Sequence, residues 1–138
     1  MMYASRRARF SASHRLFNPD FDDAENARIF GACSNPHGHG HDYELEVVVK
    51  GDPDPATGMF INLRTLKELL QQHVIEPAEH RSLNHDVPWM NGLIPTTENV
   101  ARRIFETLAP VLPPGSLHKV RVRESENNVV EYDGPEPR

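Results

Sequence analysis

A chain of 138 residues, 38% hydrophobic and 25% charged, has room for one domain with its own core, expected over 1–138. A formal net charge of −5 argues against a nucleic-acid role, which calls for a basic face, and no run approaches the ~20 apolar residues of a membrane span. Cys33 is the single cysteine, so no intramolecular disulfide forms; with an N-terminus lacking an apolar signal core, this predicts a cytoplasmic protein.

Tyr3 to Leu16 alternates loosely and reads as a strand, whereas the acidic, turn-rich stretch from Asn18 to Asn26 reads as loop. Three glycines, a proline and an asparagine between Gly31 and Gly40 exclude a regular element there. Asp42 to Lys50 puts Tyr43, Leu45, Val47 and Val49 on one face of a second strand. After the Pro/Gly turn at 51–58, Asn62 caps a helix with Leu63, Leu66, Leu69, Leu70 and Val74 at helical spacing, and Pro77 ends it. Val87 to Pro95 is irregular. A second helix opens at Thr96 or Thr97, runs Val100, Ile104 and Leu108 along one face, and stops at the prolines from Pro110 onward. Leu117–Arg123 and Val129–Tyr132 are strands around an Asn127-Asn128 hairpin turn. The order strand-strand-helix-helix-strand-strand predicts an α+β fold: a four-stranded antiparallel sheet with two helices on one face. The run Val47-Val48-Val49 suggests that both sheet faces are partly buried, a hint of oligomerisation.

Eight histidines is a high count, and four of them fall between His14 and His41. In His39-Gly40-His41 the two imidazoles project from one face of an extended chain, with Cα atoms ~6.6 Å apart. They can converge on one ion at ~2.0–2.1 Å, and His14 at the end of the first strand is the leading third ligand. Three histidines leave a coordination position open, the pattern of a catalytic rather than a structural zinc. The repeat His37-Gly38-His39-Gly40-His41 leaves the register ambiguous, since His37 can replace His41. Cys33, in the same loop, is either a small buried hydrophobe or, near a metal or a protonated imidazole, a usable base. Glu79-His80 is surface decoration or a pair that relays protons and orients the thiol. Thr96 or Thr97 is first a helix cap, with exposed N–H groups that can hold an electron-rich ligand edge. Glu124, at a strand end, is a solvated charge or a carboxylate that accepts two parallel hydrogen bonds from an amino-pyrimidinone edge.

Taken together, Phe10-Ser-Ala-Ser-His14-Arg-Leu, Phe30-Gly-Ala-Cys33-Ser-Asn-Pro-His-Gly-His39-Gly-His41-Asp-Tyr43, Asp54-Pro-Ala-Thr-Gly58-Met, Pro95-Thr-Thr-Glu-Asn-Val-Ala101 and Glu124-Ser-Glu-Asn-Asn128 resemble the 6-pyruvoyl-tetrahydropterin synthase family. The resemblance implies that His14, His39 and His41 ligate Zn²⁺, that Cys33 is the general base supported by Glu79 and His80, and that Glu124 anchors a pterin with Thr96 and Thr97 at its edge. It further implies a lyase of the tunnelling fold that takes 7,8-dihydroneopterin triphosphate, eliminates triphosphate and yields 6-pyruvoyl-tetrahydropterin without a redox cofactor. The family's subunits join sheets edge to edge into a trimeric barrel and stack as a homohexamer, a dimer of trimers, with sites between subunits. Glu79 departs from the family's usual Asp, and His37 stands where an uncharged polar residue is common. The related 6-carboxy-tetrahydropterin synthases use a shorter spacing after the cysteine; five residues separate Cys33 from His39 and three separate it from His37. The longer spacing and Asp-Pro-Ala-Thr-Gly favour the pyruvoyl enzyme. A zinc-binding oligomeric module without catalysis is the alternative from another class.

Overall fold

Alternation of apolar and polar side chains builds the two longest strands, β1 (Met2–His14) and β2 (His39–Gly51), of the computed structural model, which describes residues 1–136. The far end of the expected 1–138 domain therefore lies outside the described residues. Between these strands runs α1 (Asp23–Phe30). After β2 come α2 (Leu63–Leu70), one short turn α3 (Glu76–Ala78), a two-residue strand β3 (Arg81–Ser82), α4 (Thr97–Leu108), β4 (Leu117–Ser125) and β5 (Asn128–Tyr132).

The strands form one sheet in the order β3-β1-β2-β4-β5. Among the described residues the sheet is therefore five-stranded and mixed, which corrects the expected four-stranded antiparallel arrangement. The extra strand pairs parallel to β1 through Ala12↔Arg81 and Ser13↔Ser82. Two residues carry no alternation to read, so only the tertiary fold reveals β3. Helix α1 is a second correction, since it occupies part of the expected loop. Asp22 caps it by accepting from the Glu25 N–H at 2.8 Å. Its buried residue is Asn26 rather than an apolar stripe, so hydrophobic periodicity gave no signal. The Asn26 amide accepts from the Asn18 N–H at 2.8 Å and donates to the Asn18 carbonyl at 3.1 Å, which stitches the helix to the segment after β1. The hairpin turn also sits one residue earlier than expected, at Glu126-Asn127, with Ser125 paired to Asn128.

One face of the sheet buries Phe10, Ala12, Tyr43, Leu45, Val47, Val49, Val120 and Val122 beneath Leu66, Leu70 and Val74 on one side and Val100, Ile104 and Leu108 on the other. Complete burial of a side chain of this size stabilises by about 1.5–3 kcal/mol, so this layer carries the fold. The opposite face is charged and partly buried, with Glu44, Glu46 and Val48 half-covered. Arg7 lies 3.3 Å from Glu46, which lies 3.4 Å from Arg121, and Arg121 in turn pairs with Glu131. A second rung joins Arg9 to Glu44 at 2.7 Å and Glu44 to Arg123 at 3.4 Å. Val47 and Val49 point inward, and Val48 alone of the three shares the charged face, half-buried.

Candidate active site

His14 and His39 are directly opposed in the β1–β2 ladder, and His41 follows two residues on, so the three side chains share the core-facing side of the sheet. Their ligand atoms all lie within 4.8 Å of one another. His14 is almost fully buried, at 1% exposure. Its Nδ1 is 2.9 Å from the Pro95 carbonyl, an acceptor only, so Nδ1 carries the proton and Nε2 keeps its lone pair. That Nε2 faces His39 Nε2 at 3.2 Å. Tyr43 Oη stands 3.2 Å from the same nitrogen that faces Pro95, His14 Nδ1. Among the described residues the His41 Nε2 is buried without a hydrogen-bond partner, although Glu124 Oε1 is 3.4 Å away. Burial holds the pKa of both His14 and His41 below the ordinary histidine value, so both are neutral donors at pH 7. A buried orphaned nitrogen, an opposed lone pair and a proton parked on the remote nitrogen are what a cation needs from imidazoles. His14, His39 and His41 can hold a metal ion. His37 lies outside the group, exposed in the glycine turn.

Cys33 sits in a half-buried 3₁₀ turn, Gly31–Ser34, directly after α1. Its carbonyl accepts from the Leu16 N–H at 2.8 Å, and Arg15 Nε donates to the Ser34 carbonyl at 2.9 Å. The cysteine loop is thus tied to the two residues after His14. Burial, with the charges of Glu124 and Cys33 adding to it, pushes the Tyr43 phenol far above its ordinary pKa, so Tyr43 is neutral beside the histidine group.

The two threonines divide their work. Thr96 is the N-cap of α4 and accepts from the Asn99 N–H at 3.2 Å. Thr97 is thereby free to donate its hydroxyl proton to Glu124 Oε2. Thr97, Glu124, Asn127 and Asn128 line a cavity of about 390 Å³.

Glu79 and His80 lie elsewhere. Glu79 Oε1 accepts from the Ser11 N–H at 3.1 Å, and the His80 N–H donates to the Ser11 carbonyl at 2.6 Å, so both residues brace the outer edge of β1. His80 has a left-handed φ of 57°, and its ring stands 3.2 Å from Glu79 Oε1 with the side chain 81% exposed. Among the described residues neither side chain hydrogen-bonds to Cys33, so one chain does not join them into a unit. Sequence reasoning missed Tyr43, the Pro95 carbonyl and Asn84 as site residues. Tyr43 had a signal, being two residues beyond His41 on the same strand face. The other two act through a backbone atom or on one, and leave no residue-type pattern.

The sequence profile described as 6-pyruvoyl tetrahydropterin synthase matches residues 3–135. The chain belongs to that family. Within it, the human 6-pyruvoyl tetrahydrobiopterin synthase is 49% identical over 130 residues, 94% of this chain and 90% of its own length. The Drosophila melanogaster 6-pyruvoyl tetrahydrobiopterin synthase is 40% identical over 98% of this chain and 81% of its own. The solved structure of the Caenorhabditis elegans 6-pyruvoyl tetrahydropterin synthase superposes with a TM-score of 0.91 at 38% identity, covering 97% of this chain and 96% of that one. The α+β fold of the family is therefore the fold of this chain.

Proposed function

We propose that this chain is a 6-pyruvoyl-tetrahydropterin synthase: a lyase that converts 7,8-dihydroneopterin triphosphate to 6-pyruvoyl-tetrahydropterin and free triphosphate. The observation that carries the reading is the convergence of three imidazoles beside a carboxylate, Glu124, that Thr97 orients toward a cavity. The names of its relatives at 49% and 40% identity over nearly the whole chain support it.

The ion assigned to His14, His39 and His41 is zinc, because three imidazole nitrogens with one position open suit Zn²⁺. When bound, it polarises the side-chain oxygens of the substrate and acidifies the adjacent C–H. The rest falls to this chain's residues. Glu124 accepts paired hydrogen bonds from the pterin's amino-pyrimidinone edge, with the Thr97 hydroxyl fixing its rotamer and Thr96 at the ring's rim. Cys33 as thiolate removes the side-chain proton, a task worth about 10²–10⁴-fold in rate. Glu79 and His80 assist that thiol across a subunit boundary, because their own chain keeps them at the β1 edge.

A homohexamer built from two trimers supplies that boundary. The exposed β1 edge presents Arg7 and Arg9, and the β5 edge presents Glu131 at the register level of Arg7. Head-to-tail pairing of identical copies would continue the alternation of charge across the joint and closes into a ring. The 138 residues act as one domain, in the cytoplasm. No helix among the described residues is long and apolar enough to cross a membrane.

The test is mass spectrometry of the products after zinc-loaded protein meets 7,8-dihydroneopterin triphosphate. The 6-pyruvoyl product with free triphosphate is expected. A 6-carboxy product with acetaldehyde would assign the sister reaction, and stoichiometric zinc without turnover would leave a binding module.

A further inference from the structure

Asn84 belongs to no motif, yet it holds the chain at the point where the metal cluster meets the cysteine loop. Its side-chain oxygen accepts from the Arg15 N–H at 2.7 Å, and its side-chain nitrogen donates to the Arg15 carbonyl at 2.9 Å. One amide therefore satisfies both backbone groups of a single residue, as a neighbouring strand would. It does so where the pairing with β3 runs out: β3 pairs with Ala12 and Ser13, the Leu83 N–H reaches the Ser13 carbonyl at 2.8 Å, and among the described residues the ladder between these two segments goes no further. Asn84 adds the missing rung, one residue beyond His14.

What hangs from Arg15 makes that rung matter. Its side chain donates to the Ser34 carbonyl at 2.9 Å, and the next N–H, of Leu16, donates to the Cys33 carbonyl at 2.8 Å. From the other side, Gly38 with φ +68° presses so close that a Cβ there would sit 2.7 Å from the His14 carbonyl oxygen. His14 is thus set between a glycine that tolerates no side chain and a residue clamped by Asn84. A strand end held by one ladder alone frays. Held in this way, it fixes both the direction of the His14 ring and the offset of the Cys33 turn from the cluster.

We propose that Asn84 is a positioning residue for the metal centre: its two-bond clamp on Arg15 sets the geometry of His14 against His39 and His41 and, through Arg15 and Leu16, the placement of Cys33. The inference rests on the reading of the three histidines as metal ligands. Outer partners that orient a ligand alter metal affinity by about 10–100-fold when removed.

The experiment substitutes Asn84→Ala and Asn84→Asp in the full chain and titrates the metal-free proteins with Co²⁺, reading the intensity and position of the visible d–d bands, and with Zn²⁺ against a chromophoric chelator. Val49→Ala, buried at the far end of β2, serves as a variant that loses stability without touching the clamp. Expected for Asn84→Ala is a 10–100-fold weaker Zn²⁺ affinity and altered Co²⁺ bands, with Val49→Ala like wild type in both at a comparable loss of Tm. Asn84→Asp keeps the bond to the Arg15 N–H but sets an acceptor against the Arg15 carbonyl, so an intermediate loss is expected; it also decides the matter should the alanine variant fail to fold. Wild-type affinity and bands in either folded variant, or an equal shift in Val49→Ala, would overturn the inference and leave Asn84 a stabilising residue only. A wild-type chain that takes up no Co²⁺ or Zn²⁺ would instead overturn the metal reading, and the inference with it.

Discussion

Replacing His14 by alanine, and separately His39 by alanine, separates the two roles that this cluster plays. Each change removes one of three candidate ligands, so both proteins are expected to lose bound zinc. Their metal-free stabilities should differ. His14 is buried at 1% exposure, with its Nδ1 against both the Pro95 carbonyl and the Tyr43 hydroxyl. Its truncation orphans the Pro95 carbonyl, at about 1–3 kcal/mol for a buried unsatisfied group, and opens a void that adds roughly 1 kcal/mol more. The sum is about 2–4 kcal/mol, or a Tm lower by roughly 6–12 °C for a domain of this size. His39 is only half-buried, and among the described residues the hydrogen-bonding contact of its ring is to His14 Nε2. Its removal should cost within about 0.5 kcal/mol. Thermal scans of the metal-free proteins at one fixed chain concentration, with zinc content by elemental analysis, make the comparison. A His14→Ala protein that keeps a full equivalent of zinc would refute the ligand assignment. Equal Tm values for the two variants would refute the account of His14 as a hydrogen-bonded core residue.

Cys33→Ala should lower turnover by about 10²–10⁴-fold while zinc content stays at the wild-type level, and an unchanged rate would return the cysteine to a packing role. Gly38→Ala introduces a Cβ 2.7 Å from the His14 carbonyl at a backbone φ of +68°. It should cost about 1–3 kcal/mol and weaken zinc binding without touching a ligand, measured by competition with a chelator. The metal-free protein should also lose stability on mild acidification. His14 and His41 have folded pKa values depressed by burial, so the unfolded chain binds their protons first. The stability they confer is whole above about pH 6.5 and is lost as the pH falls from there toward their lowered values. Urea midpoints at about pH 7.5 and pH 5.5 test this. A midpoint that rises on acidification contradicts it. Glu44, held below the usual carboxylate range by hydrogen bonding to Arg9, loses its ion pairing only at more acid pH.

Much of this protein is legible in one dimension because period and punctuation are local physics. Alternation from Tyr43 to Val49 commits β2 to a buried face, and the same alternation carries His39 and His41 onto that face with no further information. Asn62 and Thr96 announce their helices because a side-chain oxygen there satisfies an otherwise free N–H. The family resemblance likewise rests on short runs of adjacent residues. What escaped the sequence depends on partners far away in the chain. Strand β3 exists only because Ala12 and Ser13 offer an open edge, helix α1 is anchored by a buried asparagine instead of an apolar stripe, and Asn84 matters only because Arg15 lies beside it. The choice between Thr96 and Thr97 was undecidable until Glu124, on another strand, claimed the second hydroxyl. Residue types and their spacing thus determined which groups can do chemistry here. The tertiary structure alone decided which of them meet, because a hydrogen bond or a shared ion needs approach within a few ångströms, and the chain order says nothing about that.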